Sequence, residues 1–274
     1  MTHFSDKEQM QLEKTGKACI SPEVKILMAL KILAFGVLLA AFTDYFQMGI
    51  STGHQCFLHL CKVISSSEAF QEQYCPKMTR ATAKKLSDLH KSIDGVPGRI
   101  ASLDCMHIGW RLCLMAHKGN YQGSKGFPTI VLEATADYNL WFWHAMFGYP
   151  GSLNDINIWD QSSLLKSFLD GMYTKTVDFE FIINGIVFDK VFFLVDGIYP
   201  NLSRFVKTIE EPVGRRNKDY AKWKEGSQKD MERAFGVLQR KFPILVKKME
   251  QWYVKDIKEI VSACIILHNM MVAT

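Results

Sequence analysis

The run Val191–Val195 (VFFLV), followed at once by Asp196 and Gly197, constrains this chain more than any other stretch. Five apolar residues rich in Val and Phe, stopped by a glycine, read as a strand buried on both faces, so a sheet with helices on both sides is required. The residue leaving such a strand stands at the sheet's rim, where ligands collect, and here that residue is Asp196. Ile100–Asp104 repeats the arrangement: a second apolar strand ending on a carboxylate. The expectation is two strand-end aspartates on one rim. A third carboxylate, Glu232, lies in KDMERAFGVLQRKF, where Met231, Ala234, Phe235 and Leu238 recur at helical spacing. Glu232 flanks that stripe, at the border of packed face and solvent, and Gly236 one turn further on leaves room beside it.

The rest of the chain supplies a setting for those acids. Strands are expected at Ile100–Asp104, Thr129–Thr135, Leu140–Phe147 and Val191–Val195, with a tight hairpin at Tyr138–Asn139 and a helix around Ile156–Phe168. Ile257, Ile260, Val261, Cys264, Leu267 and Met271 give a closing helix. A three-strand meander followed by alternating helix and strand makes an α/β fold, a mixed sheet flanked by helices. Asp94–Gly98 packs turn and breaker residues into five positions and reads as a domain boundary. Residues 96–274 then form the sheet domain, 21–95 a small all-helical domain, and 1–20, polar and aperiodic, a mobile tail.

In the helical domain, Ser21 as N-cap, Pro22 and Glu23 start a helix leading into the apolar run Ile26–Phe42. Lys31 and Gly36 interrupt that run, which falls short of the roughly 20 residues a membrane span needs. A buried core helix is expected, and no membrane. After a break at Met48–Ser51, Thr52–Ile64 resumes the helical pattern; helix, glycine turn, helix outlines a helix-turn-helix, with a plain helical bundle as the equal alternative. Lys62 is the one basic residue on the would-be recognition helix. His54, Cys56, His59 and Cys61 spread around more than half of that helix and do not converge on a metal. Thr79–Ile93 sets Arg80, Lys84, Lys85 and Lys91 opposite Ala83, Leu86, Leu89 and Ile93, a solvated face or a phosphate-facing one.

The net charge is +5, but it is unevenly spread: residues 201–248 hold thirteen Lys plus Arg against six Asp plus Glu. Seven Cys without a C-x-x-C pair make neither a disulfide framework nor a zinc ribbon and point to a reducing compartment. Asp104, Asp196 and Glu232 are oxygen ligands suited to hard divalent ions, Mg²⁺ or Mn²⁺, which in a pair activate a water or a 3′ hydroxyl and stabilise the leaving oxygen of a phosphodiester. Arg215, Arg216, Lys218, Lys222, Lys224, Arg233, Arg240 and Lys241 would hold the polyanion. On spacing alone a set of ordinary salt bridges is the competing account.

The segments SLDCMHIGW, KGFPTIVLEATADYNLWFWHAMFGYPGSLNDINIWDQS, VFFLVDGIYP, QKDMERAFGVLQRKFPI and ACIILHNMM resemble the signature of plant PIF/Harbinger-type transposases, as does the upstream LAFGVLLAAFTDYFQMGIST. The resemblance covers roughly residues 22–272 in order. It implies a ribonuclease-H-like nuclease domain whose DDE triad falls on Asp104, Asp196 and Glu232, with Mg²⁺ or Mn²⁺ as cofactor. It also implies cutting of double-stranded DNA at terminal inverted repeats, work in the nucleus, and a separate Myb-like partner protein; it leaves open a homo-oligomer, and a chromatin- or DNA-binding adaptor without cleavage. Asp155 of GSLNDIN is a further candidate ligand, read first, with Asn154, as capping the next helix. His107 is read first in a structural hydrogen bond, with contact to substrate phosphate as the alternative, and Glu133 is expected to pair with a base. Leu39 and Ala40 stand where the family carries acidic residues.

Overall fold

The computed structural model describes residues 20–37 and 39–274. The expected tail, residues 1–20, therefore lies outside the described residues except for Ile20. Helices come first: α1 (Pro22–Phe35), α2 (Thr43–Phe46), α3 (Ile50–Ser66), α4 (Glu68–Tyr74) and α5 (Arg80–Asp94). Then follow β1 (Arg99–Gly109), α6 (Lys118–Tyr121), β2 (Thr129–Ala136), β3 (Phe142–Pro150), α7 (Asp155–Trp159), α8 (Ser163–Leu169) and α9 (Met172–Thr176). The chain continues through β4 (Phe181–Ile183), β5 (Ile186–Phe188), β6 (Phe192–Leu194), β7 (Phe205–Val206), α10 (Arg215–Lys241) and α11 (Val254–Val272).

The start of α1 is as its residues dictate: the Ser21 hydroxyl accepts from the Val24 N–H, and Pro22 occupies the first turn. Its end is set by Gly36, at φ 56°, whose N–H donates to the Ile32 carbonyl. A Cβ there would meet the Ile244 backbone nitrogen at 2.6 Å, so only glycine lets the 243–245 turn pack against the helix end. The long apolar run is thus divided, and among the described residues no helix is long and apolar enough to cross a membrane. The expected Ile156–Phe168 helix is also two: Ser162 accepts from the Leu164 N–H at 3.1 Å and starts α8 afresh.

Five strands form one mixed sheet in the order β3-β2-β1-β6-β7. β1–β2 and β2–β3 are antiparallel; β1–β6 and β6–β7 are parallel. The β2–β3 hairpin lies where expected, organised by a buried carboxylate. Asp137 Oδ1 accepts from the N–H groups of Asn139 and Trp141, Oδ2 accepts from Trp143 Nε1, and Leu140 takes φ 69°. A second hairpin, β4–β5, turns on Asn184 (φ 50°) and Gly185 (φ 81°) and stands apart as a two-stranded sheet.

One apolar cluster joins Met28 and Leu33 of α1 and Phe57 and Cys61 of α3 to Met106, Ile130 and Leu132 of the sheet, Met231 and Leu238 of α10, and Ile260 and Cys264 of α11. A second cluster covers the opposite face with Ala83 and Leu86 of α5, Trp159, Leu164 and Tyr173. The Asp94–Gly98 connector separates helices from sheet along the chain but does not separate their cores: α1 and α3 share theirs with α11, and α5 packs on β1. Between α1 and α3 the chain makes a single α-helical turn, α2, directly before α3.

Candidate active site

β1 extends to Gly109, so Asp104 sits inside a strand and not at its end as expected. The polar positions 104, 105 and 107 break the apolar run without ending the strand, because β2 pairs with all of them. Asp196 does lie just past its strand: β6 stops at Leu194, and Val195 still donates to the Val206 carbonyl at 3.2 Å. The parallel register runs as far as Ser102 opposite Leu194, so Asp104 and Asp196 each follow two residues later on neighbouring segments, and the Asp196 charge acts on Asp104. Asp104 Oδ1 accepts from the Cys105 N–H at 2.7 Å, and Asp196 Oδ1 from the Gly197 N–H at 2.7 Å.

Glu232 comes from α10, exposed beside the packed Met231. What places α10 is Arg99, buried at the start of β1. Its guanidinium donates to Asp94 at 2.9 Å, to Asp230 at 2.7 Å and to the Ser227 carbonyl at 2.8 Å, so one cation ties α5, β1 and α10 together. Such a buried pair is costly to break, since either partner left alone is an uncompensated charge. Further along, Gln239 Nε2 reaches Met106 Sδ at 3.2 Å.

Asp155 opens α7, with Asn154 as the cap: its Oδ1 accepts from the Asn157 N–H at 2.9 Å. Asp104 is the carboxylate on which the charges of the other three act. Burial pushes the Asp104 carboxyl up to about 6, and the charges of Asp155, Asp196 and Glu232 add to that rise, against the Cys105 N–H. Asp155 is raised by burial as well, with His107 and Cys105 opposing and Asp196 and Glu133 assisting. Beside them the Cys105 thiol lies 3.4 Å from the Tyr199 hydroxyl. His107 is in a hydrogen bond with Thr129 Oγ1 at 2.9 Å, and Glu133, fully buried, sits 3.3 Å from His144.

The basic set divides. Arg215, Arg216, Lys218, Lys222, Arg233 and Arg240 are exposed along α10; Arg215 lies 3.9 Å from Asp219, and Arg233 rests on the Tyr138 ring and Asp230. Lys241 is half-buried. Lys224 leaves the set: it is 1% exposed, bonded to Gln228, and among the acids. Burial lowers its pKa, while Asp196, Glu225 and Asp104 act to hold its proton. Lys224 was expected among the phosphate-holding residues; its burial sets it apart from the exposed basic residues of α10. A signal for this was present, because Lys224, Gln228 and Glu232 succeed one another at four-residue spacing along one helix row.

All-oxygen, mutually repelling carboxylates have the chemistry of a hard divalent cation site. Their arrangement is looser: among the described residues no three His, Cys, Asp or Glu side chains are gathered closely enough to hold a metal ion. The donor set fits Mg²⁺ or Mn²⁺ in kind.

Residues 72–274 match the family model described as plant transposon protein. The chain belongs to the plant transposon protein family. This agrees with the PIF/Harbinger-type resemblance of its motifs. Among curated relatives, the protein named "Putative nuclease HARBI1" from Bos taurus is 25% identical across 92% of this chain and 67% of its own length. The Homo sapiens protein of that name is 26% identical with the same coverage, and the Rattus norvegicus one 27% identical across 56% of this chain and 43% of its own. No solved structure matches. The family match takes in all four carboxylates and the whole of α10, and the helices before residue 72 lie outside it.

Proposed function

We propose that this family member is a metal-dependent nuclease of the transposase type acting on double-stranded DNA, with Asp104, Asp196 and Glu232 as its catalytic carboxylates. The observation carrying the proposal is that Asp104 feels Asp196, Glu232 and Asp155 at once, although each comes from a different part of the chain. Strand order β3-β2-β1-β6-β7, antiparallel on one side of β1 and parallel on the other, supports the ribonuclease-H-like reading. Bound there, Mg²⁺ or Mn²⁺ would activate the attacking oxygen and stabilise the leaving oxygen of a phosphodiester. The chain's own residues supply the frame. Two adjacent strands fix Asp104 and Asp196, α10 carries Glu232, and Asp155 stands by as a further ligand. Lys224 balances their charge, and Arg215, Arg216, Lys218, Lys222, Arg233, Arg240 and Lys241 hold phosphates. Terminal inverted repeats as the substrate, a Myb-like partner supplying sequence specificity, and work in the nucleus belong to the same proposal, as does a homo-oligomer.

A second reading, a DNA- or chromatin-binding adaptor without cleavage, rests on the loose arrangement of the acids. Nicking of duplex DNA in Mn²⁺, with a Myb-like partner present, separates the two. The expected result is cleavage that Asp196→Asn and Glu232→Gln abolish, while binding stays intact. If about six phosphates are contacted, log affinity falls against log salt with a slope near −5, and replacing Arg215 and Arg216 by Ala flattens it by about 2. Cleavage surviving Asp196→Asn overturns the triad; absence of cleavage by the wild type in Mn²⁺ favours the adaptor.

A further inference from the structure

We propose that the outer edge of β3 is a docking site for an extended, acidic peptide segment of a partner protein, which adds to the sheet as a sixth strand. β3 ends the strand order and pairs on one side only, with β2. Between two register shifts it is regular: His144–Phe147 run opposite Thr135–Leu132 without interruption. Natural sheets blunt an open edge with a charged side chain, a proline or a covering helix. His144, Ala145, Met146 and Phe147 include no proline and no Lys, Arg, Asp or Glu. α11 packs against β3 but is not flush with this stretch of its edge. A cavity of about 310 Å³ separates the edge from α4 and α11, with Trp143–Phe147 on one wall and Cys75, Lys258, Ser262 and Ile265 opposite.

The protein itself fills the first place along this edge with an amide. Asn269, buried on α11, accepts from the Phe142 N–H at 3.0 Å and donates to the Phe142 carbonyl at 2.9 Å, as the peptide group of a neighbouring strand would. Beyond that position the mimicry stops and the groove begins. The occupant's chemistry follows from the walls. Trp143, Met146 and Cys75, half-buried on the walls, offer apolar contacts to an extended peptide. Lys258 is the one lining residue with a full positive charge; it is exposed, and no described acid pairs with it. On α11 it stands four and seven residues before Ser262 and Ile265, on the stripe facing the edge. His144 already turns its Nε2 to Glu133. An acidic side chain on the incoming strand is therefore the complement. This inference does not depend on nuclease activity.

The test uses the whole chain and a labelled six-residue synthetic peptide in which Val alternates with Glu and Thr. The controls are the same peptide with Lys for Glu, and with alternate backbone amides N-methylated. The acidic peptide should bind and slow hydrogen exchange at alternate amides within residues 143–147, while both controls fail. Lys258→Glu should weaken binding by about threefold. Ala145→Glu, at a second exposed position lining the groove, should abolish it. Equal affinity of the N-methylated peptide, protection elsewhere, or indifference to both substitutions overturns the proposal. So does protection of 143–147 in the free protein that is lost on dilution, which would place a second copy there.

Discussion

His90 and His268 are imidazoles held neutral by their surroundings. Burial, then the Arg99 charge, pushes His90 down to about 3; burial takes His268 to about 4 although its Nε2 meets the Leu140 carbonyl at 2.8 Å. Their folded values lie below the ordinary 6.5, so the unfolded chain takes up protons first. Stability is complete above about pH 6.5 and drains as pH falls, by up to about 1.4 kcal/mol per pH unit for each histidine. Asp104 runs the other way. With its folded value raised from 3.8 to about 6, its charge costs stability as pH rises through that window, and the full cost remains above it. Thermal melts from pH 7.5 to 4 should therefore show His268→Gln flattening the acid limb. Asp104→Asn should be more stable than wild type by about 1–3 kcal/mol at pH 7.5, with no gain at pH 4. At this scale the candidate carboxylates stand out in the sequence, since each ends or flanks an apolar pattern. The burial of Lys224 is not legible there, because its charge suggests solvent and only the packed helix shows otherwise.

Elements were legible where their signal is local. The Ser21 cap, the stripe of α11 and the apolar β2 appear where their periods put them. The β4–β5 hairpin was overlooked in the sequence, although Asn184-Gly185 between FII and IVF is a strong hairpin signal. Gly185 has open space where a Cβ would go, so its glycine answers to backbone alone. Gly185→Val should then cost about 1 kcal/mol locally. Hydrogen exchange across Phe181–Phe188 should quicken while the melting temperature of the whole hardly moves. Unchanged exchange there would show that the hairpin is held by its flanks and not by its turn. β1 exceeded its expected length because a strand stops where its neighbour stops, and β2 pairs with it as far as Gly109.

For the whole molecule, the shared core of α1, α3 and α11 makes a clear forecast. α3 buries Phe57, Leu60 and Ile64 there, and each large side chain is worth about 1.5–3 kcal/mol. Removing residues 1–95 would strip that cover from Ile257, Ile260 and Cys264, a loss comparable with the whole stability of a domain. A fragment 96–274 should lack cooperative melting and sharp amide dispersion in NMR spectra. A well-folded fragment would instead uphold the division at Asp94–Gly98. By itself the sequence determined the α/β class, the four strands β1, β2, β3 and β6 and the acids proposed for the site, because periodicity, caps and turns act over a few residues. Tertiary structure alone decided that Asp104 lies mid-strand, that Arg99 seats α10, that Lys224 is buried, and that β3 ends the sheet. Each of these depends on register and packing between segments distant in the chain, which no local pattern encodes.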